Sequence, residues 1–193
     1  MDISAYLEET AIIDFSHPSI QALSQQLSLI SSHDVGYAKQ CFEFVRDHIC
    51  HSGDHQDNIT TCIASDVLKY KTGWCYAKSH LLAALLRAKN IPTALCYQRL
   101  SCGEYTSDTF CLHGLNAIYL QDFGWYRVDA RGNKTGVDAQ FTPPKEQLAF
   151  QLTEHERDSL CLHAKPLEVV ITALSTYHGY QEMISHFPDC ADF

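Results

Sequence analysis

The segment from Cys75 to Lys89 is the most strongly helical part of this sequence, and the pattern of the chain changes after it. Alanine, leucine, lysine and arginine dominate the segment, and all of them favour the helical state. Asn90-Ile91-Pro92 predicts the end of the helix, because asparagine tolerates the left-handed conformation and proline cannot continue a helix. Helical periodicity precedes this point, and β-forming residues follow it. Helices followed by a run of strands predict an α+β fold with an antiparallel sheet.

The other expected elements follow from the same patterns. Earlier helices are expected over 20–29, 36–50 and about 65–70, with a polar loop at 51–61. Strands are expected over 93–100, 112–120 and 125–130, with weaker ones over 148–152 and 159–162. A closing helix is expected over 166–187, because Pro166 suits the first helical position. The prediction is therefore a helical N-terminal region, a sheet and a C-terminal helix.

Length and charge limit the classes of function. The 193 residues can bury a substantial core, and no repeat or linker divides them, so we expect one domain over residues 1–193. The formal net charge of −9 argues against nucleic-acid and anionic-membrane partners, since both require a basic surface. No signal-peptide pattern and no membrane-spanning apolar run is present, which favours a cytoplasmic protein. Its nine cysteines are then expected to be reduced thiols. These patterns do not indicate an oligomeric state.

Cys75 differs from the other cysteines in its position. It follows Gly73 and Trp74 and begins the strongest helix, where unpaired N–H groups and the helix dipole favour a thiolate. The same N–H groups are suited to binding the oxyanion of a tetrahedral intermediate. Candidates for a second oxyanion donor are Gln56, Asn58 and the Trp74 backbone. On position alone, a reactive thiol and a buried thiol packed against the sheet are equally well supported.

A thiolate nucleophile needs a base, and His113 is favoured among the eleven histidines. His80 lies five residues after Cys75, about 140° around the helix axis, and therefore faces away from it. His113 begins an apolar strand, and Gly114 leaves room beside it. The histidines in or beside the polar loop are expected to be solvated: His48, His51 and His55.

Three sequence elements, in this order, resemble the core of the transglutaminase-like superfamily. They are Gly73-Trp74-Cys75 before a Leu/Ala-rich helix, His113 at the start of a strand, and Trp125-Tyr126-Arg127-Val128-Asp129 at the end of the next. The resemblance covers about residues 60–132. It implies a papain-like α+β core in which the nucleophile helix packs on an antiparallel sheet. It also implies a catalytic triad in which Cys75 attacks an acyl carbon, His113 acts as base and then acid, and Asp129 orients the imidazole.

The sequence departs from the animal transglutaminases at several positions. Trp74 stands where those enzymes usually have glutamine, Leu115 stands where many members have tryptophan, and there is no calcium-loop pattern. The resemblance therefore implies a small, bacterial-type cysteine peptidase or amidase that hydrolyses or transfers amide acyl groups through a thioester on Cys75. The implied partners are a peptide or small amide substrate and, for transfer, an amine acceptor. No cofactor and no metal is implied.

Two other classes of function stay open. The first is a catalytically inactive domain of the same fold that serves as a binding or scaffold module, although all three triad residue types are present. The second is a metal protein, suggested by Cys111-Leu112-His113, Cys161-Leu162-His163 and His48-Ile49-Cys50-His51. No C-x₂-C pair accompanies them, and structural zinc sites usually contain one.

The triad also requires a particular hairpin geometry. Direct pairing of His113 with Asp129 needs a loop centred on Gln121, because paired residues share one face of the sheet. A two-residue turn at Asp122-Phe123 would place the two side chains on opposite faces. We therefore predict a loop that is odd in length or bulged. The Asp129 carboxylate is expected within hydrogen-bond reach of the His113 ring, with the other ring nitrogen towards Cys75.

Overall fold

The structure is a computed structural model that describes residues 3–31, 33–102 and 109–192. Its helices are α1 (Pro18–Ser28), α2 (Asp34–His48), α3 (Ser52–His55), α4 (Ala64–Tyr70), α5 (Cys75–Arg87), α6 (Glu168–Thr176) and α7 (Gly179–Met183). Its strands are β1 (Cys50–His51), β2 (Thr72–Gly73), β3 (Thr93–Ser101), β4 (Phe110–Leu120), β5 (Gly124–Val128) and β6 (Arg157–Asp158). The last four form an antiparallel sheet in the order β5-β4-β3-β6, and β1 and β2 form a separate parallel pair. The predicted α+β class is confirmed.

Helix α5 forms the centre of the core. All of its residues are buried, and it contacts β3 and β4 as well as α1, α2 and α4. A helix enclosed by neighbours needs apolar residues around its whole circumference, and the Leu/Ala-rich sequence supplies them. Its buried arginine is satisfied by main-chain oxygens, since the Arg87 guanidinium donates to the carbonyls of Glu8, Thr93 and Ala164. The sequence thus fixes α5 as the helix on which the other elements pack.

Lys78 is fully buried on α5, one turn after Cys75. Its ammonium group donates hydrogen bonds to the carbonyls of Ile49 and Arg46, at the C-terminal end of α2. Burial and the nearby Arg131 lower the pKa of Lys78 to about 7. The folded chain therefore loses the Lys78 charge at a much lower pH than the unfolded chain does.

We expect Lys78→Met to change how stability depends on pH. The unfolded chain binds a proton at Lys78 below about pH 10.4, whereas the folded chain binds it only below about pH 7, so the wild type loses stability as the pH falls through this window. The variant lacks this loss. As the pH falls from 10 to 7, the free energy of unfolding of the variant should therefore rise relative to that of the wild type. The expected rise is a few kcal/mol, at about 1.4 kcal/mol per pKa unit.

Urea denaturation at the two pH values measures this difference. The exposed Lys69 on α4 supplies the control variant, Lys69→Met, whose stability relative to the wild type should not vary with pH. A constant difference between Lys78→Met and the wild type at both pH values would contradict the prediction.

The β4–β5 hairpin has a three-residue turn. Leu120 pairs with Gly124, which leaves residues 121–123 in the turn. The predicted odd-length loop is confirmed, but its centre is Asp122 and not Gln121. Continued past Val128, this register places Asp129 opposite Leu115, two residues from His113 and on the same face of β4.

The structure differs from the predicted elements in three places. The polar segment 51–61 begins with the second residue of β1, because Cys50 and His51 pair with β2, and it also contains α3. The described residues show no strand over 148–152 or 159–162. In the first of these segments, the N–H of Ala149 donates to the carboxylate of Asp129 and not to a neighbouring strand. The closing helix is divided into α6 and α7, because the backbone of Tyr177 and His178 is extended, with φ/ψ of −100°/124° and −103°/125°.

Within the described ranges, no helix combines the length and the hydrophobicity that crossing a membrane requires.

Candidate active site

Cys75 is the first residue of α5 and lies against β4. In the described part of the chain, no side chain caps this end of the helix, so its first N–H groups are not used by a capping acceptor. The thiol is 7% exposed, and its sulfur accepts a hydrogen bond from the N–H of Gly114 at 3.4 Å. Cys75 therefore lies at the positive end of the helix dipole, where negative charge is stabilised.

Gly114 allows β4 to approach α5 at this point. A Cβ atom at this position would lie 2.9 Å from the Cα of Tyr76 and 3.1 Å from its backbone nitrogen. Both are main-chain atoms, which cannot move aside as the end of a flexible side chain can. The absence of a side chain at Gly114 thus sets the distance between the strand that carries His113 and the helix that carries Cys75.

His113 and Asp129 form a buried pair. The His113 Nε2 lies 2.7 Å from the Asp129 Oδ2. Asp129 is fully buried and also accepts hydrogen bonds from the N–H groups of Arg131, at 3.1 Å, and Ala149, at 3.2 Å. The Phe150 ring packs edge-on against the imidazole, with ring centres 5.0 Å apart. The prediction that the carboxylate lies within hydrogen-bond reach of the ring is confirmed.

The electrostatics of this pair favour a charged imidazole. Burial alone would lower the pKa of His113, but the charges and hydrogen bonds of Asp129 and Cys75 outweigh it and raise the pKa to about 10. Since Nε2 binds Asp129, Nδ1 is the nitrogen left for Cys75. Burial also opposes ionisation of Asp129, yet His113 and the two backbone donors hold the pKa of this carboxyl below its usual value. His113 is therefore protonated at neutral pH, between a carboxylate and a sulfur.

A cavity of about 300 Å³ opens beside Cys75 and His113. This volume is at the lower end of the range for small-molecule sites, about 300–1,000 Å³. Polar side chains at its surface include His51, Arg131 and Glu156. The apolar part of its wall is formed by Trp74, Leu100, Leu112, Phe150 and Phe187.

The C-terminal segment, residues 185–192, forms part of the rim of this cavity. The carbonyl of Pro188 accepts a hydrogen bond from the N–H of Leu112 at 2.8 Å, and Asp189 pairs with Arg99 at 2.7 Å. Phe187 packs edge-on against Trp74, with ring centres 5.2 Å apart. No periodic pattern in the sequence indicated this contact.

A family model described as the transglutaminase-like superfamily matches residues 21–130, which is more than half of the sequence. The chain belongs to the transglutaminase-like superfamily. A search of curated proteins finds no match.

Solved structures of other proteins are similar to part of this chain at low sequence identity. A candidate cysteine protease from Cytophaga hutchinsonii is 18% identical with a TM-score of 0.54, over 68% of this chain and 43% of that one. The periplasmic domain of TgpA from Pseudomonas aeruginosa is 16% identical with a TM-score of 0.48, over 67% and 48% of the two chains. A red sea bream transglutaminase is 13% identical with a TM-score of 0.47, over 61% and 27%. The chain spans less than half the length of each.

The transglutaminase-like core brings some of the predicted site residues together and leaves others outside. Cys75 and His113 line the cavity together with Trp74, and Asp129 lies directly behind His113. Gln56 and Asn58, the candidate oxyanion donors, are exposed and do not line it.

His51 was expected to be solvated, and this expectation is wrong. The residue is 7% exposed and lines the cavity, because β1 places it beside Gly73, just before Cys75. The polar composition of its segment hides this short strand from sequence analysis, since two residues are too few to show a period.

The expectation that all nine cysteines are reduced is also wrong. The structure joins Cys102 to Cys111 by a disulfide between the ends of β3 and β4, with Cα atoms 6.0 Å apart. The register that pairs Leu100 with Cys111 brings the two residues side by side. Both belong to the cavity wall.

The metal-site hypothesis receives no support from the placement of these residues. Over residues 3–31, 33–102 and 109–192, no group of three or more His, Cys, Asp or Glu side chains is arranged to hold an ion. In the Cys111-Leu112-His113 motif, Cys111 is in the disulfide and His113 binds Asp129.

Proposed function

We propose that this protein is a cysteine hydrolase or acyltransferase that forms a thioester between Cys75 and the acyl group of an amide. The observation that carries the proposal is the buried His113–Asp129 pair beside a thiol at the start of a helix. A thiol so placed is activated both by the helix dipole and by the adjacent imidazolium. An inactive scaffold domain would not require this pair, which is costly to bury.

The raised pKa of His113 supports an imidazole that is protonated before the reaction begins. We propose that the sulfur attacks as a thiolate beside this cation. In the first step the Cys75 sulfur bonds to the amide carbon, and the carbonyl electron pair moves onto oxygen. The oxyanion binds the backbone N–H at the start of α5. When the C–N bond breaks, His113 gives its proton to the leaving amine. In the second step His113 acts as a base. It is therefore an acid first and a base second.

The second step determines whether the enzyme hydrolyses or transfers. His113 removes a proton from water or from a primary amine, whose oxygen or nitrogen attacks the thioester carbon and displaces the Cys75 sulfur. The mainly apolar cavity of about 300 Å³ supports a peptide or small amide as the acyl donor. Screening amide libraries with and without a primary amine separates the outcomes: ammonia release without amine incorporation identifies hydrolysis.

Cys75 should be the fastest of the free thiols to react with limiting iodoacetamide at neutral pH. Burial raises the pKa of three other thiols to about 11 or 12 and should make them slow: Cys41, Cys62 and Cys96. Mass spectrometry of the labelled protein across pH gives the rate at each site. Labelling of Cys75 no faster than that of the exposed Cys50 below pH 7.5 would contradict the nucleophile assignment.

The matched variants for this test are Cys75→Ala and His113→Ala. Both should abolish turnover, and His113→Ala should slow the labelling of Cys75 while leaving that of Cys50 unchanged. A Cys75→Ala protein with wild-type turnover would refute the proposed function.

A further inference from the structure

The proposed thioester chemistry leaves the second oxyanion donor unassigned. The backbone N–H of Cys75 supplies one donor, and enzymes that stabilise oxyanions commonly use a second, preorganised one. The two side chains that the sequence suggested, Gln56 and Asn58, are exposed and outside the cavity. The third candidate, Trp74, does line the cavity, and so does His51, whose side chain can carry an N–H donor.

His51 has a suitable position. Its backbone pairs with Gly73 in the β1–β2 ladder, two residues before Cys75. Its ring packs edge-on against Trp74, with ring centres 5.5 Å apart, and it lines the same cavity as Cys75 and His113. The ring is thus held by strand pairing on one side and by an aromatic contact on the other.

The hydrogen-bonding state of His51 is not explained by packing. Its Nδ1 is enclosed and has no hydrogen-bond partner in the described part of the chain, and the nearest carboxylate oxygen, on Asp54, is 3.8 Å away. Asp54 is itself bound by Arg131 and Lys134. A buried polar atom without a structural partner is rare in proteins and calls for an explanation, and a catalytic role is one of the known explanations.

The charges that face the ring keep it neutral. Burial is the main cause that lowers the pKa of His51 far below its usual value, and the nearby Arg131, Lys78 and His113 add to it, against the opposing effect of Asp54. A neutral imidazole carries one N–H donor. Because Nδ1 is the enclosed nitrogen, Nε2 is the nitrogen that the ring can offer to the cavity.

We propose that His51 is a catalytic residue whose Nε2–H donates a hydrogen bond to the oxyanion, together with the backbone N–H of Cys75. The inference rests on the proposed function. As the Cys75 sulfur bonds to the acyl carbon, the oxygen that gains the electron pair moves into this pair of donors. His51 transfers no proton. When the C–N bond breaks, the electron pair returns to form the thioester carbonyl, and the amine takes its proton from His113.

Two reactions of Cys75 separate this role from a structural one. Acylation by p-nitrophenyl acetate passes through an oxyanion, whereas alkylation by iodoacetamide displaces iodide and forms none. His51→Phe keeps a ring against Trp74 but removes the donor. We expect it to lower kcat/KM for p-nitrophenyl acetate about 10²–10³-fold, the usual loss for one oxyanion donor. In His51→Phe, the rate of Cys75 alkylation should stay within about threefold of the wild-type rate. His51→Gln keeps an N–H donor and should recover part of the acylation rate that His51→Phe loses.

Two results would overturn the inference: unchanged acylation in His51→Phe, or an equal loss in both reactions, which would indicate a positioning role for the ring. Should His51→Phe fail to fold, which its melting temperature would reveal, the comparison is made with His51→Asn and His51→Gln. The proposed function is tested separately with Cys75→Ala. If this variant acylates as fast as the wild type, the thioester mechanism is wrong. If acylation requires Cys75 but not His51, only the present inference fails.

Discussion

Replacing Asp129 by asparagine should lower turnover about 10⁴-fold, the loss measured for the equivalent change in serine-protease triads. Asp129 supplies the negative charge that offsets the burial of the His113 imidazolium. Without that charge, burial dominates and the pKa of His113 falls, so the imidazole no longer holds a proton for the leaving amine at neutral pH. The asparagine amide also cannot accept from His113, Arg131 and Ala149 as the carboxylate oxygens do.

Two measurements check this expectation: kcat with an amide substrate between pH 6 and 9, and the iodoacetamide labelling rate of Cys75 over the same range. Labelling in Asp129→Asn should require a higher pH than in the wild type. Glu146→Gln is the matched control, because Glu146 is paired with Arg127 at the surface and does not line the cavity. A loss of less than tenfold in Asp129→Asn would show that the carboxylate does not control His113.

Gly114→Ala should lower turnover about 100-fold, the usual effect of a displacement of roughly 1 Å at a reacting group. The added Cβ would meet the main chain of Tyr76 at 2.9 Å, so β4 must move away from α5. The movement separates His113 from Cys75 and breaks the hydrogen bond from the residue 114 N–H to the sulfur. Overpacking of this kind also costs about 1–3 kcal/mol of stability.

Comparison with Ile118→Val separates misalignment from loss of stability. Ile118 is fully buried on β4, four residues along and on the same face as Gly114, and its truncation costs about 0.5–1.5 kcal/mol. This variant should keep its turnover below its melting temperature, whereas Gly114→Ala should lose it at any temperature. Equal turnover in the two variants would mean that the close contact at Gly114 does not set the geometry of the site.

The parts of the fold that were predicted depend on local patterns. Helix α5 has a composition that suits complete enclosure, and the strands of the β4–β5 hairpin have a two-residue period that fixes which face each side chain occupies. The odd-length turn followed from that period, since His113 and Asp129 must share a face. Their assignment to a triad came from the order of three motifs that resemble a family, not from the period.

The parts that were missed depend on contacts between distant segments. His51 is buried because β2 lies beside its strand, and its own polar segment carries no sign of that. Cys102 and Cys111 meet because β3 and β4 pair in one register, which composition cannot reveal. The closing helix is interrupted at Tyr177 and His178, and the Gly179 that follows lies so close to Asn58 that a Cβ would meet the Asn58 Cα at 3.1 Å. In each case the decisive neighbour is more than eight residues away in sequence.

The attachment of the C-terminal segment to β4 has a practical consequence for the assays described above. Pro188 and Asp189 hold this segment against Leu112 and Arg99, and Phe187 reaches the cavity wall. An affinity tag or reporter attached to this segment would therefore lie near the cavity and compete with substrate for access. For kinetic work such fusions belong at the amino-terminal side, and rates from proteins tagged on either side should be compared before any rate is assigned to Cys75.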